Sequence, residues 1–280
     1  MSDDIGSRED TLTLALAQHR VETADVSGNV DRAVAAIEAA AEQGADIVVL
    51  PELFNVGYFA FEAYARAAEG LDGPTLERIS ATAAEHGIAV QAGSIVEDLE
   101  TSAEAGIETP AAEGLANAAV FFDRDGSRRA VYRKHHLFGY DSAETQLLTA
   151  GESLPTVAFE GFTVAMTTCY DLRFPELYRQ LAEEGVSLVL VPSAWPYPRV
   201  DHWQTLPRSR AIENLTYVAA VNGAGEMDGN QLVGRSTVFD PWGTPVATCD
   251  DAPALVTTEI SPSRVEAVRA EFPALRDRRH

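Results

Sequence analysis

Short apolar runs of the β type alternate with helical runs along almost the whole chain, and this order restricts the fold more than any other feature. The first cycle contains predicted strands over residues 11–18 and 46–50 and predicted helices over 29–43 and 75–86. Strands that alternate with helices are typical of α/β proteins. The predicted fold class is therefore α/β.

The alternation continues through the rest of the chain without a repeat or a low-complexity linker. The further predicted elements are strands over 89–95, 118–122, 129–132, 162–168, 187–191, 217–222, 236–239 and 255–260, and helices over 175–184, 202–214 and 262–271. Residues 97–113 are rich in Glu, Ala and Thr without clear periodicity, which predicts an exposed insertion. Because 280 residues with 46% hydrophobic content can bury a large core, we expect one domain over residues 1–280.

The charge of the chain argues against nucleic acids as partners. The formal net charge is −22, from 43 acidic residues against 21 Lys and Arg. Such an acidic field repels phosphates, and no face rich in Lys and Arg can be assembled to bind them. A halophilic source is the interpretation that we favour, and an ordinary acidic protein is the alternative.

Neither a membrane partner nor secretion is expected. The sequence contains no run of about 18 apolar residues, the length needed to span a membrane. The opening residues 1–6 lack the cationic start of a signal peptide. We therefore predict a cytoplasmic location. The chain has two cysteines, and with Cys169 assigned to a candidate site, Cys249 is left unpaired and is predicted to be structural.

Cys169 lies where an apolar strand stops and a helix begins a few residues later. The positive end of a helix dipole and nearby backbone N–H groups both favour a thiolate there. Cys169 is thus a candidate nucleophile. The alternatives are a buried structural cysteine, which is the commoner case for a free cysteine, and a redox-sensing thiol, for which no resolving cysteine lies nearby.

Two other predicted strand ends carry charged residues. Glu52 follows the buried run at 45–50, and Lys134 follows the strand at 129–133. A carboxylate, an ammonium and a thiol suit acyl transfer, as base, oxyanion stabiliser and nucleophile. His135 and His136 also suggest a metal site, but adjacent strand residues point to opposite sides and no third ligand follows at zinc spacing. We therefore predict ordinary packing for both histidines, and no metal.

Three segments carry a resemblance to a known family. Residues 51–58, 132–138 and 169–176 resemble the three signature blocks of the nitrilase superfamily of carbon–nitrogen hydrolases, in the family's order. The resemblance continues through 208–218 and 234–243. It implies a four-layer αββα sandwich, a homodimer or higher homo-oligomer, and catalysis without a cofactor.

The sequence around Cys169, with residues 195–199 and 202–203, resembles the Nit and omega-amidase branch of this superfamily. That branch implies hydrolysis of a small amide bearing a carboxylate, with ammonia released through a cysteine thioester. An N-carbamoyl amidohydrolase and a nitrilase remain as alternatives. A non-catalytic nitrilase-like binding protein is the alternative from another class, against which the intact Glu52, Lys134 and Cys169 argue.

The resemblance also implies roles for residues. Glu52 acts as base, and Lys134 and the backbone N–H of Tyr170 stabilise the oxyanion. The family uses a second glutamate shortly before a Gly-Glu or Gly-Asp pair, and Glu144, upstream of Gly151-Glu152, fits that place. The alternative for Glu144 is a solvated loop residue.

A carboxylate substrate in so acidic a protein needs a local cation. Arg173 is the candidate anchor, and its alternative is an ion pair with Glu176. Tyr58, Phe138 and Trp195 are predicted to line the substrate pocket.

Overall fold

Two β-sheets lie face to face, and helices cover the outer face of each. The computed structural model describes residues 11–140 and 142–279. Residues 1–6, on which the prediction about secretion depends, lie outside the described residues. Within the described part of the chain, no helix combines the length and the apolar character needed to cross a bilayer.

The elements follow the predicted alternation. The strands are β1 (Leu12–Gln18), β2 (Ile47–Val49), β3 (Ala89–Gln91), β4 (Ile95–Asp98), β5 (Leu115–Phe122), β6 (Arg128–Arg133), β7 (Thr156–Phe159), β8 (Phe162–Met166), β9 (Leu188–Ser193), β10 (Tyr217–Asn222), β11 (Glu226–Met227), β12 (Asn230–Gln231), β13 (Thr237–Phe239), β14 (Pro245–Thr248) and β15 (Ala254–Ile260). The helices are α1 (Val26–Glu42), α2 (Tyr64–Ala67), α3 (Pro74–His86), α4 (Leu99–Glu104), α5 (Glu144–Leu147), α6 (Pro175–Glu183), α7 (Val200–Asn214) and α8 (Pro262–Glu271), with 3-10 turns at Phe61–Ala63 and Cys169–Arg173.

Each sheet has a parallel centre. The first sheet has the order β15-β1-β2-β3-β5-β4, with β6 paired to β5, and β1, β2 and β3 run parallel. The second sheet has the order β14-β13-β10-β9-β8-β7, and β8, β9 and β10 run parallel. Ligands in α/β proteins bind at the carboxyl ends of such strands.

Alternating side chains of the strands fill separate apolar layers. On β1, Leu14 and Leu16 pack between the two sheets, whereas Ala15 and Ala17 pack against the helices α1 and α3. A third layer lies between the second sheet and the helices α6 and α7 and includes Trp203. This alternation follows from the two-residue period of a strand. The fold is the αββα sandwich that the resemblance implies, so the predicted fold class is confirmed.

The predicted strand over 89–95 is two strands separated by a turn at Gly93. Gly93 has φ of +48°, and a Cβ atom there would lie 2.0 Å from the carbonyl oxygen of Pro51. Only glycine allows this approach. The turn therefore packs directly against the backbone that precedes Glu52.

The prediction of an exposed insertion over 97–113 is wrong at Glu97, Leu99 and Ser102, which are buried, whereas residues 100–101 and 103–106 are exposed as predicted. Glu97 lies in β4 and is buried, because Arg133 donates two hydrogen bonds to its carboxylate at 2.6 and 2.7 Å. The short helix α4 follows and buries Leu99 and Ser102. Residues 108–113 are partly or fully exposed and form no helix or strand.

Candidate active site

The three charged or nucleophilic residues predicted at strand ends meet at one edge of the sandwich. Glu52 follows β2 and Lys134 follows β6, both in the first sheet, while Cys169 follows β8 in the second sheet. The site therefore spans both sheets. Its geometry depends on the packing of the sandwich and not on one loop.

Lys134 lies between two carboxylates. Its Nζ donates to Glu52 Oε1 at 2.9 Å and to Glu144 Oε1 and Oε2 at 2.7 and 3.1 Å, and no part of the three side chains is exposed. Burial alone would lower the pKa of Lys134, but Glu144 and Glu52 more than offset it and raise that pKa well above its usual value. Lys134 is therefore held as an ammonium.

The Glu52 carboxylate is fixed by two further donors. Asn117 Nδ2 donates to Oε1 at 3.0 Å, and the backbone N–H of Ala194 donates to Oε2 at 3.0 Å. Burial raises the pKa of Glu52, and this effect outweighs the attraction of Lys134. A carboxyl group with a raised pKa can accept a proton and return it, which general acid–base catalysis needs.

Cys169 begins the 3-10 turn after β8 in a left-handed backbone conformation, with φ of +46°. Such a φ is costly for a side chain that has a Cβ atom, and strained residues of this kind cluster at active sites. Burial, followed by the Glu52 carboxylate, raises the pKa of the thiol well above its usual value. The prediction that the strand end favours a thiolate is thus wrong beside the Glu52 carboxylate, because burial and that carboxylate both favour the neutral thiol.

Asp171 connects the nucleophile turn to the lysine segment. Its buried carboxylate accepts hydrogen bonds from Tyr132 OH at 2.6 Å, from the backbone N–H of Thr168 at 2.9 Å and from that of His136 at 3.0 Å. The Nδ1 of His136 lies 2.7 Å from the same carboxylate. The two segments therefore cannot move independently.

The two adjacent histidines pack against aromatic rings. His135 stacks on Tyr132, and His136 stacks on Phe174 with ring centroids 3.6 Å apart. They do not point to opposite sides of a strand, because β6 ends before both and their ring centroids are 6.3 Å apart. Among residues 11–140 and 142–279, no three His, Cys, Asp or Glu side chains are grouped so that they could hold a metal ion.

A small pocket of about 30 Å³, open at its mouth, lies above Cys169. It is lined by Lys134 and Cys169, by the predicted Tyr58, Phe138, Tyr170, Arg173 and Trp195, and by Phe59, Ala194, Pro196 and Arg199. Glu52 and Glu144 are not among its lining residues. Only the lysine of the ionic cluster therefore reaches the pocket surface.

Glu144 is buried at the start of α5, so its alternative as a solvated loop residue is wrong. Besides Lys134, it accepts hydrogen bonds from Tyr58 OH at 3.0 Å and from the backbone N–H of Phe138 at 2.7 Å. Glu144 thus ties two pocket walls to the lysine.

Arg173 stacks between aromatic rings at the pocket. Its guanidinium carbon lies 4.9 Å from the ring centroid of Trp195 and 5.7 Å from that of Tyr170, and its Nη2 lies 3.2 Å from Nδ1 of His202. The alternative ion pair with Glu176 does not occur between these two described residues.

Five residues of the site were not predicted, namely Asn117, Ala194, Arg199 and the pocket-lining Phe59 and Pro196. Asn117 is a neutral residue inside a strand, Ala194 acts through its backbone N–H, and Arg199 lies in a segment that we used only as a family signal. The polar Asn117 inside the apolar run of β5 was the one available sign of a buried partner.

Comparison with known proteins gives a consistent result. The family model for carbon–nitrogen hydrolases matches residues 13–270. The chain is 36% identical over 239 residues to a 2-oxoglutaramate amidase of Paenarthrobacter nicotinovorans, covering 84% of this chain and 79% of that protein. It is 35% identical over 274 residues to an omega-amidase of Homo sapiens, covering 95% and 94% of the two chains.

Two solved structures extend this similarity to the fold. A CN-hydrolase superfamily protein of Xanthomonas campestris, with an arsenic adduct in its active site, has a TM-score of 0.85 and 35% identity, covering 96% of this chain and 98% of that one. A glutamate-to-glutamine mutant of an amidase from Nesterenkonia sp. AN1 has a TM-score of 0.83 and 29% identity, covering 98% and 95%. In that mutant the acetamide moiety of fluoroacetamide is covalently added to the active-site cysteine.

Proposed function

Since the chain belongs to the carbon–nitrogen hydrolase family and is an amidohydrolase, we propose that it releases ammonia from small amides that carry a carboxylate, through a thioester on Cys169. The observation that carries this proposal is the buried ionic cluster of Lys134 with Glu52 and Glu144 beside the Cys169 thiol. The relatives named omega-amidase and 2-oxoglutaramate amidase support a substrate of this class.

Acylation uses the raised pKa values of both Glu52 and Cys169. Glu52 takes the thiol proton as Sγ attacks the amide carbonyl carbon, so no free thiolate needs to persist in the buried site. The oxyanion that forms is stabilised by the Lys134 ammonium and the backbone N–H of Tyr170. Glu52 then returns the proton to the amide nitrogen, and the carbon–nitrogen bond breaks. Ammonia departs, and the acyl group remains on Cys169 as a thioester.

Deacylation repeats these steps with water. Glu52 takes a proton from water, whose oxygen attacks the thioester carbonyl, and Lys134 again stabilises the oxyanion. The carbon–sulfur bond breaks, the proton passes from Glu52 to Sγ, and the product carboxylic acid leaves. Glu144 acts by positioning Lys134, Tyr58 and the backbone at Phe138, which it contacts directly.

The substrate carboxylate is bound by Arg173 in this proposal. The stacking of its guanidinium on Trp195 and Tyr170 supports that role, because it holds the cation at the pocket without a carboxylate partner. Tyr58 and Phe138 complete the apolar wall that accommodates the carbon chain.

An ammonia-release screen tests the function. The substrates are omega-amides of 2-oxo acids, simple aliphatic amides, N-carbamoyl compounds and nitriles. We expect the highest kcat/KM for an omega-amide with a carboxylate. Release of carbon dioxide with ammonia would instead identify a carbamoyl hydrolase, preference for nitriles a nitrilase, and no release from any compound a non-catalytic protein.

We further propose a single catalytic domain that forms a homodimer in a salt-rich cytoplasm. Three exposed apolar side chains, Ile212, Trp242 and Phe272, support self-association, since the tilted rings of Trp242 and Phe272 pack together at the surface with centroids 5.5 Å apart. A catalytic thiol that must stay reduced supports the cytoplasm. The net charge of −22 supports the salt-rich source.

A further inference from the structure

Two arginines face the same pocket from different segments. Arg173 ends the 3-10 turn that begins at Cys169, and Arg199 immediately precedes α7. Neither forms an ion pair with a carboxylate among the described residues, whereas surface arginines such as Arg78 and Arg128 do. In a chain with twice as many acidic as basic residues, this leaves two positive charges at the pocket for a ligand to neutralise.

The backbone at Arg199 is fixed against the pocket wall. Its carbonyl oxygen accepts a hydrogen bond from Trp195 Nε1 at 3.0 Å, and its N–H donates to the carbonyl of Pro196 at 3.4 Å. The guanidinium carbon lies 5.5 Å from the ring centroid of Phe138. A guanidinium stacked on a ring keeps its N–H groups available at its edge for a carboxylate.

We propose that Arg199 is a specificity-determining residue, which together with Arg173 selects amides bearing a carboxylate over neutral amides of the same length. This inference rests on the proposed amidase function. A carboxylate offers about four acceptor sites on two oxygens, so it can accept from two guanidinium groups at once. A neutral aliphatic chain has no acceptor for either. Two cations at the pocket also offset locally the repulsion that a net charge of −22 exerts on an anion.

A matched pair of substrates separates this role from a structural one. Succinamate and butanamide have the same chain length, and only succinamate ends in a carboxylate. In Arg199→Met, which keeps an apolar stem against Phe138, we expect kcat/KM for succinamate to fall about 10-fold or more, through KM. The value for butanamide should stay within about twofold of wild type. Arg199→Lys should recover part of the loss, and Arg66→Met, an exposed arginine on α2, is the control.

Two results would overturn the inference: an equal loss for both amides in Arg199→Met, or no change in the ratio of the two kcat/KM values.

A binding experiment keeps the inference about Arg199 testable if the proposed amidase function fails. Calorimetry with the Cys169→Ala protein measures succinamate binding without turnover, and Arg199→Met in that background should weaken it about 10-fold. Absence of succinamate binding to Cys169→Ala, or an unchanged affinity in the double variant, would also reject it. A wild-type protein that hydrolyses no amide would reject the amidase function alone.

Discussion

Nδ2 of Asn117 lies 3.0 Å from Oε1 of Glu52, the same oxygen that receives a hydrogen bond from Lys134 Nζ. The backbone carbonyl of Asn117 accepts the N–H of Lys134 at 2.9 Å. One residue of β5 therefore fixes both the proposed base and the proposed oxyanion stabiliser.

Removal of this amide should raise the pKa of Glu52 further, because the carboxylate loses a donor in a buried site. Hydrogen bonds to charged groups contribute about 1.5–3 kcal/mol, so Asn117→Leu should lower kcat/KM by roughly 10- to 100-fold. The acid limb of the pH profile should move to higher pH. Asn117→Asp, which places another carboxylate beside Glu52, should move it the same way. Unchanged profiles in both variants would show that Asn117 does not act on Glu52.

Cys169→Ala is expected to abolish ammonia release while the protein stays folded. The substitution deletes the proposed nucleophile, and it removes only one sulfur atom from a small buried side chain. Cys249, which packs between the two sheets, provides the matched control. Cys249→Ala should retain activity, and the loss of activity with a thiol reagent should follow modification of Cys169. Wild-type turnover by Cys169→Ala would exclude the thioester.

Glu52→Gln should separate the base from the nucleophile. Turnover should fall by about 10²–10⁴, the usual contribution of general acid–base catalysis. The Glu52 carboxylate raises the pKa of Cys169, so its neutralisation should make the thiol more acidic while Lys134 stays charged. Fluoroacetamide should therefore still alkylate Cys169 in this variant. Intact mass spectrometry measures the acetamide adduct, and the Glu52→Gln/Cys169→Ala double variant must lack it. An unreactive Cys169 in Glu52→Gln would show that the thiol depends on Glu52 even for displacement of fluoride at a saturated carbon.

The strand ends explain how much of the site could be predicted. Glu52, Lys134 and Cys169 were predicted from the sequence because each follows an apolar run, and parallel strands bring their ends to one edge. Asn117 and the N–H of Ala194 carry no such signal, since one is neutral and the other belongs to the backbone. They become apparent only when the two sheets are packed together.

The errors have a physical cause as well. Residues 97–113 contain many charged and small side chains, a composition typical of exposed loops, yet Glu97 is buried because Arg133 is its partner from another strand. The thiol of Cys169 was expected to favour the thiolate because local sequence shows the helix that follows. It does not show the buried carboxylate of Glu52, which lies 117 positions earlier and acts in the opposite direction.

His19 should make the fold sensitive to mild acid. Its Nε2 is buried without a hydrogen-bond partner among the described residues, and burial lowers the pKa of His19 to about 4. The unfolded chain binds this proton near pH 6.5, and the folded protein does so only near pH 4. The contribution of the neutral His19 to the free energy of unfolding is therefore complete above about pH 6.5. It is lost as the pH falls towards 4, by up to about 1.4 kcal/mol per pH unit.

Free energies of unfolding between pH 7 and 4 measure this effect. His19→Gln should flatten the profile relative to wild type, whereas the exposed His86 on α3 should give an unchanged profile when replaced by Gln. Parallel curves for wild type and His19→Gln would assign the acid sensitivity to other groups.

Salt should stabilise the protein, because two opposing effects differ in size. Molar salt weakens the surface ion pairs, such as Arg78 with Asp31 and Arg128 with Asp72, but exposed pairs contribute only about 0–1 kcal/mol each. It also screens the repulsion among charges that sum to −22, as the Debye length falls from about 10 Å at 0.1 M to about 3 Å at 1 M. Repulsion acts among all the acidic residues, and each ion pair involves only two groups. We therefore expect Tm and ammonia release to rise together from low to multimolar potassium chloride. A flat series, or a maximum below 0.15 M, would reject the salt-rich source and leave the amidase proposal unaffected.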